Sequence, residues 1–181
     1  MLLTTAIKDR RSVRHFTDDL ISKEDFNKII DLARYAPSWK NSQTSRYTLI
    51  QNKELLADIA QNALLDFAYN TKTISHASNL VILSTIVGVS GYEKDGSFST
   101  SKNSEWQTFD AGISCQTFCL AAYGYNYGTV VLGIFDDEKI AKIIDLPADQ
   151  KVSAIIVIGV GSNPAPAGPP RKDVNELVCF K

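Results

Sequence analysis

Two largely apolar segments of the chain predict strands that are buried on both faces. Asn79 to Val87 (NLVILSTIV) and Val152 to Val160 (VSAIIVIGV) are rich in β-branched residues, and neither alternates between apolar and polar positions. Continuous runs of this length are typical of strands that helices cover on two sides. Shorter runs at Arg46–Ile50 and Thr129–Leu132 predict two further strands.

Apolar residues at helical spacing predict helices between these strands. Ser22 precedes the first amphipathic segment, and its hydroxyl is placed to accept from the N–H of the third helical residue. Asn52 and Asp136 are placed to cap two more helices, the first of which carries apolar residues as far as Phe67. Trp106 to Tyr125 is the most apolar helical segment, as expected of a helix packed closely by its neighbours.

The order of these elements predicts one α+β domain over residues 1–181, with helices packed on a modest sheet. Residues 88–105 are polar and rich in glycine and serine, and this length fits a lid, an interface segment or a plain surface loop. The tail from Ser162 holds four of the six prolines and ends on apolar residues. We therefore expect an extended C-terminal arm over about 162–181 rather than disorder.

Composition excludes several classes of function. The chain has 19 Lys and Arg against 20 Asp and Glu, a balance that argues against nucleic-acid binding by broad phosphate neutralisation. It has no apolar run near the roughly 18 residues of a membrane helix, and no signal-peptide pattern, so we expect no membrane partner and a cytoplasmic location. Three cysteines and two histidines show no disulfide framework or metal-ligand spacing, so we expect no metal and cysteines that serve packing.

Two basic clusters are candidates for binding an anion. KDRRSVRHF (residues 8–16) contains Arg10, Arg11, Ser12 and Arg14, and arginine binds phosphate oxygens in pairs while serine adds a short donor. The alternative is a basic surface turn. Arg171 and Lys172 follow the proline-rich part of the tail, where a stiff arm could close on the first cluster, or where they could simply face solvent.

Two polar loops are candidates for binding a ring. Ala36 to Gln43 (APSWKNSQ) follows a helix end and places amides beside an indole, which suits a heterocycle with alternating N–H and C=O groups such as flavin. The alternative is helix-exit chemistry, in which Asn and Ser satisfy their own backbone. Gly133, after the Thr129–Leu132 strand, permits close backbone approach to a flat ligand, or merely lets the strand turn into the next helix.

These four stretches, in this order, resemble the FMN-dependent nitroreductase family. The matching motifs are RRSVRHF, APSWKNSQ, DAGISCQTFCLAAYGYNYGTVVLGIFD and PPRKDVNELV, and they extend from Ile7 to Val178. The resemblance implies an α+β homodimer of three layers, with a central mixed sheet flanked by helices and two FMN sites at the subunit interface. It also implies that the C-terminal arm packs on the partner subunit.

The resemblance further assigns the cofactor-binding residues. The phosphate and ribityl chain of FMN would be held by Arg10, Arg11, Ser12 and Arg14, with Arg171 and Lys172 closing on the phosphate. The other subunit would bring Pro37, Ser38 and Asn41 to the flavin, with Trp39 and Gln43 alongside. The Leu132–Gly133 backbone would face the pyrimidine and N5 side of the ring, and Asn70 falls where the family often has an amide reaching the flavin edge.

The sequence departs from the family pattern at two places. Many members continue Gln-Pro-Trp where this chain has Gln43-Thr44-Ser45-Arg46, and a common Leu-Gly segment is replaced by Tyr125 to Gly128 (YNYG). Both changes fall near the expected substrate face. They therefore affect the identity of the substrate more than the binding of flavin.

The expected activity is hydride transfer from NADH or NADPH through flavin N5 to a small-molecule electron acceptor, such as a nitroaromatic or a quinone, in a ping-pong cycle. Because the cofactor carries this chemistry, no catalytic side chain is nominated. The alternatives are dehalogenation, enone reduction or flavin destruction on the same scaffold, an FMN-binding redox sensor or carrier without efficient turnover, and a phosphate-ligand binding protein without flavin.

Overall fold

The computed structural model of the chain describes residues 2–164 and 167–181. Its α-helices are α1 (Leu3–Asp9), α2 (Lys23–Ala33), α3 (Lys53–Asn62), α4 (Ala68–Ser75), α5 (Glu105–Gly124) and α6 (Asp137–Ile143). Its strands are β1 (Ser45–Ile50), β2 (Leu80–Ile86), β3 (Gly128–Leu132) and β4 (Gln150–Gly159). Single 3-10 turns occur at Trp39–Asn41 and Val174–Glu176.

The four strands form one sheet in the order β1-β2-β4-β3. The expectation of a mixed sheet is corrected here, because all three strand pairings are antiparallel. The connections from β1 to β2 and from β3 to β4 each return the chain beside the preceding strand in the opposite direction, and β4 also pairs antiparallel with β2 on its other side. Within the described residues a parallel pairing occurs only at the bridge between Ser12 and Thr129 on the outer edge of β3.

Helices cover both faces of the sheet, so the predicted three-layer α+β architecture is confirmed. Along β2, Leu80 and Ile82 pack into a core with α3, α4 and α6, whereas Val81 and Leu83 pack into a second core with α2 and α5. All four side chains are fully buried, as the continuous apolar run predicts. Helix α5 contacts all four strands.

Side-chain caps begin three of the helices as predicted. Ser22 Oγ accepts from the Asp25 N–H at 3.0 Å, and Asn52 Oδ1 accepts from the Leu55 N–H at 3.0 Å. Asp136 Oδ1 accepts from the Lys139 N–H, also at 3.0 Å. Each cap satisfies a backbone donor that the helix leaves open and stabilises its helix by about 1 kcal/mol.

The second amphipathic helix is shorter than the sequence suggests. It ends at Asn62 rather than continuing to Phe67, and a further helix, α4, follows that the sequence pattern did not predict. Leu65 and Asp66 between them have φ angles of +52° and +57°. These left-handed residues reverse the chain, so that buried Ile74 of α4 packs into the same core as Ile59 of α3.

The C-terminal arm is exposed along its described length except at half-buried Gly168, and positions 165 and 166 of the predicted arm lie outside the described residues. Asp173 caps the turn Val174–Glu176 in a reciprocal capping box with Glu176. Phe180, near the end of the arm, is 94% exposed. Across the described ranges, no helix combines the length and apolar character needed to cross a membrane.

Candidate cofactor site

The segment Arg10–Arg14, called the cationic segment below, lies along the outer edge of β3. The Val13 N–H donates to the Thr129 carbonyl at 3.0 Å. Gly128 permits this approach, because a Cβ atom at that position would lie 2.6 Å from Cγ2 of Val13. The backbone of the cationic segment is therefore fixed against the sheet.

The three arginines of the cationic segment are held differently. Arg11 donates through Nη1 to the carbonyls of Lys8 and Arg10, and its guanidinium packs against Gly168 of the arm. Arg14 is exposed and donates through Nη1 to the Ser12 carbonyl at 3.3 Å, whereas Arg10 is half-buried at the end of α1. In the described part of the chain none of the three forms an ion pair with a carboxylate, so their charge is available to an anion.

Arg171 and Lys172 are exposed. The arm does reach the cationic segment, since Gly168 lies against the Arg11 guanidinium. Over residues 2–164 and 167–181, however, neither Arg171 nor Lys172 donates to that segment. Their closing on a bound phosphate remains a prediction.

Leu132 and Gly133 lie at the end of β3, about 10 Å along the strand from Thr129. Leu132 is buried, whereas Gly133 is exposed and the position of its missing Cβ has no other atom within 4 Å. Asn70 is buried on α4 and donates through Nδ2 to the Ile134 carbonyl at 3.0 Å. Asn70 thus fixes the backbone that follows Gly133, and a direct contact of its amide with a flavin remains a prediction.

The loop Pro37–Gln43, called the clamped loop below, has a strained backbone. Lys40, Asn41 and Gln43 have φ angles of +46°, +54° and +50°. Such left-handed residues, other than glycine, add about 1 kcal/mol or more each and persist only where the surroundings enforce them. Inside the loop, Ser38 Oγ accepts from the Gln43 N–H at 2.9 Å.

A buried carboxylate clamps this loop to helix α5. Asp110 is 2% exposed, and its two oxygens accept from the Trp39 N–H at 2.9 and 3.1 Å. Ser90 lies in the segment of residues 88–104 that leads into α5, and it donates its hydroxyl to the same carboxylate at 2.6 Å. Sequence reasoning missed Asp110 and Ser90. The available signal was an acidic residue inside the most apolar helix. A carboxylate buried in such a helix needs hydrogen-bond partners, so its presence predicts that donors lie nearby.

Two further contacts hold the clamped loop, one to the start of α5 and one to the 88–104 segment. The rings of Trp39 and Trp106 lie 4.6 Å apart between centroids, and Lys40 Nζ lies 3.0 Å from the Glu93 carboxylate. Hydrogen bonds from Ser99 and Lys40 lower the pKa of Glu93, so this carboxylate stays charged. The long polar segment is therefore attached to the predicted ring-binding loop.

Several polar atoms near the clamped loop are buried without a partner in the described part of the chain, among them Trp39 Nε1 and Ser42 Oγ. Buried polar atoms without partners are rare in folded proteins, and a bound ligand is one group that can satisfy them. Together with unpaired arginines and the open surface at Gly133, they form a donor set that fits a phosphorylated heterocycle. The residues present therefore fit FMN.

The cationic segment and the clamped loop lie at opposite edges of the sheet. The clamped loop leads into β1, whereas the cationic segment borders β3, and three strand spacings, about 14 Å, separate these edge strands. Helix α5 links them, because Asp110 lies near its beginning and α1 packs against it close to Arg10. One chain thus presents two separate halves of the donor set.

Cys115 and Cys119 are buried on α5, whereas Cys179 is exposed on the arm. The mutual interaction of the two thiols lowers the pKa of Cys119 and raises that of Cys115. The charge of Arg10 contributes in a smaller degree to the lower pKa of Cys119. The first two cysteines serve the packing that the sequence predicts.

Comparison with known proteins gives consistent results. The family model described as "Nitroreductase family" matches residues 7–160. Protein DrgA of Synechocystis sp. is 26% identical over 97% of this chain and 94% of its own length. The Bacillus subtilis protein named "Putative NAD(P)H nitroreductase YodC" is 27% identical over 89% of each chain. The crystal structure of an Exiguobacterium sibiricum protein in complex with FMN superimposes with a TM-score of 0.81 at 20% identity, over 100% of this chain and 98% of that one.

Proposed function

The chain belongs to the nitroreductase family, and from this premise we propose that it is an FMN-dependent oxidoreductase. It takes hydride from NADH or NADPH and passes the electrons to a small-molecule acceptor of the nitroaromatic or quinone class. The name of the B. subtilis relative supports the nicotinamide donor, and the FMN complex of the E. sibiricum protein supports the cofactor.

The observation that carries the proposal is a set of arginines that have no carboxylate partner among the described residues. They are fixed on the edge of β3 and are followed along that strand by the open surface at Gly133. In the proposed complex Arg10, Ser12 and Arg14 bind the phosphate, because their guanidinium and hydroxyl donors suit its oxygens. Arg11 orders this segment through its backbone contacts and its packing on the arm.

The remaining residues of the site bind and orient. FMN, when bound, supplies the hydride-transfer chemistry, so no side chain is required as an acid, base or nucleophile. N–H donors of the clamped loop and of the Leu132–Gly133 backbone are proposed to hydrogen-bond the ring. The nicotinamide nucleotide and the acceptor would occupy the open side of the site one after the other, as a ping-pong cycle requires.

We further propose that the protein is a homodimer whose two subunits complete each site. The separation of the two halves in one chain supports this, since a second chain can bring its clamped loop to the first chain's cationic segment. The arm also exposes Leu177, Val178 and Phe180, and α1 exposes Leu3 and Ile7. Apolar surface of this kind is typical of subunit interfaces.

The proposal is tested by spectroscopy of the purified protein. The protein should be yellow, should release FMN on denaturation, and should bleach when NADH or NADPH is added without oxygen. A panel of nitroaromatic and quinone acceptors should then restore the yellow band. Colourless protein that cannot be reconstituted with FMN would contradict the proposal, and bound flavin that both nucleotides leave oxidised would favour a sensor or carrier.

A further inference from the structure

We propose that Asp110 is a positioning residue for the cofactor, acting through the main chain of the clamped loop. The inference rests on the proposed function and goes beyond it, because it assigns a role to a side chain buried in helix α5. Among the described residues, Asp110 forms no hydrogen bond or ion pair with Arg10, Arg14 or Gly133. Its carboxylate acts on the Trp39 N–H and the Ser90 hydroxyl, and through them on two loops at once.

The geometry of the carboxylate explains why aspartate is needed at this position. Both oxygens lie within 3.1 Å of the Trp39 nitrogen, and one of them also accepts from Ser90 at 2.6 Å. Carboxylate oxygens accept hydrogen bonds, so the two oxygens can hold both donors together. An asparagine has one acceptor oxygen, and its amide nitrogen would face one of these donors.

The clamped loop needs such an anchor because its backbone conformation is intrinsically unfavourable. Three of its residues are left-handed, and Trp39 begins the turn Trp39–Asn41 in which two of them lie. The anchor at Trp39 therefore sets the position of Ser38 and Asn41, two residues that the family resemblance assigns to the flavin. Displacement of Trp39 would move both.

The same carboxylate couples the clamped loop to the 88–104 segment. Ser90 is fully buried at the start of that segment, and Glu93, three residues on, pairs with Lys40 of the clamped loop. The two loops are thus joined by a buried contact through Asp110 and by the exposed ion pair of Lys40 with Glu93. Among the described residues, loss of the buried contact leaves the exposed ion pair of Lys40 with Glu93 and the contact of Trp39 with Trp106.

The test uses Asp110→Asn and Ser90→Ala in the purified full-length protein, with two readouts. The chain has two tryptophans, Trp39 and Trp106, and both belong to the clamp. Intrinsic fluorescence and near-ultraviolet circular dichroism of FMN-free protein therefore report the clamp without any flavin. In D110N we expect a changed tryptophan spectrum and an FMN Kd raised about tenfold. That rise is about the effect of losing one charged hydrogen bond between the displaced loop and FMN. In S90A the Kd should rise about threefold, since Trp39 keeps its acceptor.

Asn79→Ala is the matched control. Asn79 is also buried and also holds a remote segment, accepting from the Ile21 N–H at 2.9 Å and donating to the Asp19 carbonyl at 2.9 Å. N79A should lower thermal stability but leave the tryptophan spectrum and the FMN Kd within about twofold of wild type.

Three results would overturn the inference. Wild-type protein that does not bind FMN would remove the proposed function and this inference together. FMN binding by wild type and D110N with equal Kd would remove the inference alone. Equal losses of FMN affinity in N79A and D110N would show that the effect is general destabilisation rather than positioning.

Discussion

The cationic segment and the clamped loop contribute to the candidate site in opposite ways. The cationic segment lies flat along β3 through backbone hydrogen bonds such as Val13 N–H to Thr129 at 3.0 Å, and its arginine charges stay outside the core. The clamped loop has a strained backbone and a buried carboxylate behind it. One region offers charged side chains on a regular backbone, whereas the other offers backbone shape that buried groups enforce. Substitutions in the cationic segment should therefore change ligand affinity without changing fold stability. Substitutions that release the clamped loop should change both.

The largest effect is expected for Arg10→Ala in the cationic segment. Loss of a charged hydrogen bond to the phosphate should weaken FMN binding by about 1.5–3 kcal/mol, which is a rise in Kd of roughly 10- to 150-fold. The stability of the FMN-free protein should change by less than about 0.5 kcal/mol, since Arg10 forms no ion pair in the described ranges. Fluorescence titration with FMN and urea unfolding measure the two quantities. Lys8→Ala is the control, and an unchanged FMN affinity in R10A would remove Arg10 from the phosphate site.

A smaller effect, on stability alone, is expected at Tyr47 beside the clamped loop. Burial raises the pKa of Tyr47 to about 12, and its ring stacks on Phe118 at 5.4 Å between centroids. The unfolded chain ionises this phenol above about pH 10, so stability is full below pH 10 and falls as the pH rises towards 12.

Urea unfolding between pH 8 and pH 11 tests this dependence. At pH 11 the loss attributable to Tyr47 should be about 1.4 kcal/mol. The Tyr47→Phe variant should lack that part of the alkaline loss, whereas Tyr35→Phe, at an exposed tyrosine, should retain it. Equal alkaline losses in Y47F and wild type would place the titration elsewhere.

The smallest effect is expected for Gly133→Ala at the end of β3. The added methyl group meets no atom of the described residues within 4 Å, so the fold should tolerate it or gain up to about 1 kcal/mol. A flat ligand against this backbone would meet the methyl group, and the FMN Kd should rise about three- to tenfold. Gly124→Ala, also in open space, is the control for calorimetry and titration. Unchanged FMN affinity in G133A would show that the ligand does not approach this backbone.

Much of the fold could be predicted because its signals are local. The buried run Leu80–Ile86 and the caps at Ser22, Asn52 and Asp136 depend on neighbouring residues in the chain, and the structure confirms each of them. The family resemblance also follows from short motifs, and the match over residues 7–160 confirms it. The assignments of individual residues to FMN stay predictions.

The features that could not be predicted depend on tertiary contacts. The turn at Leu65 and Asp66 contains no glycine or proline, so no local residue marks the end of α3. Asp110 is 71 residues from Trp39, and the sequence pattern does not show which backbone donor a buried carboxylate will meet. The antiparallel sheet likewise depends on which strands pair with each other. The order of the elements along the chain does not decide that pairing.

Helix α5 also limits which changes of length the chain can tolerate over evolutionary time. Asp110 at one end meets the clamped loop, and Cys119, about 13 Å further along the axis, lies near Arg10. One inserted residue between them would rotate everything downstream by about 100° and turn one of these contacts away from its partner. Insertions and deletions among descendants of this chain should therefore collect in the surface stretch before the helix, while α5 keeps its number of residues.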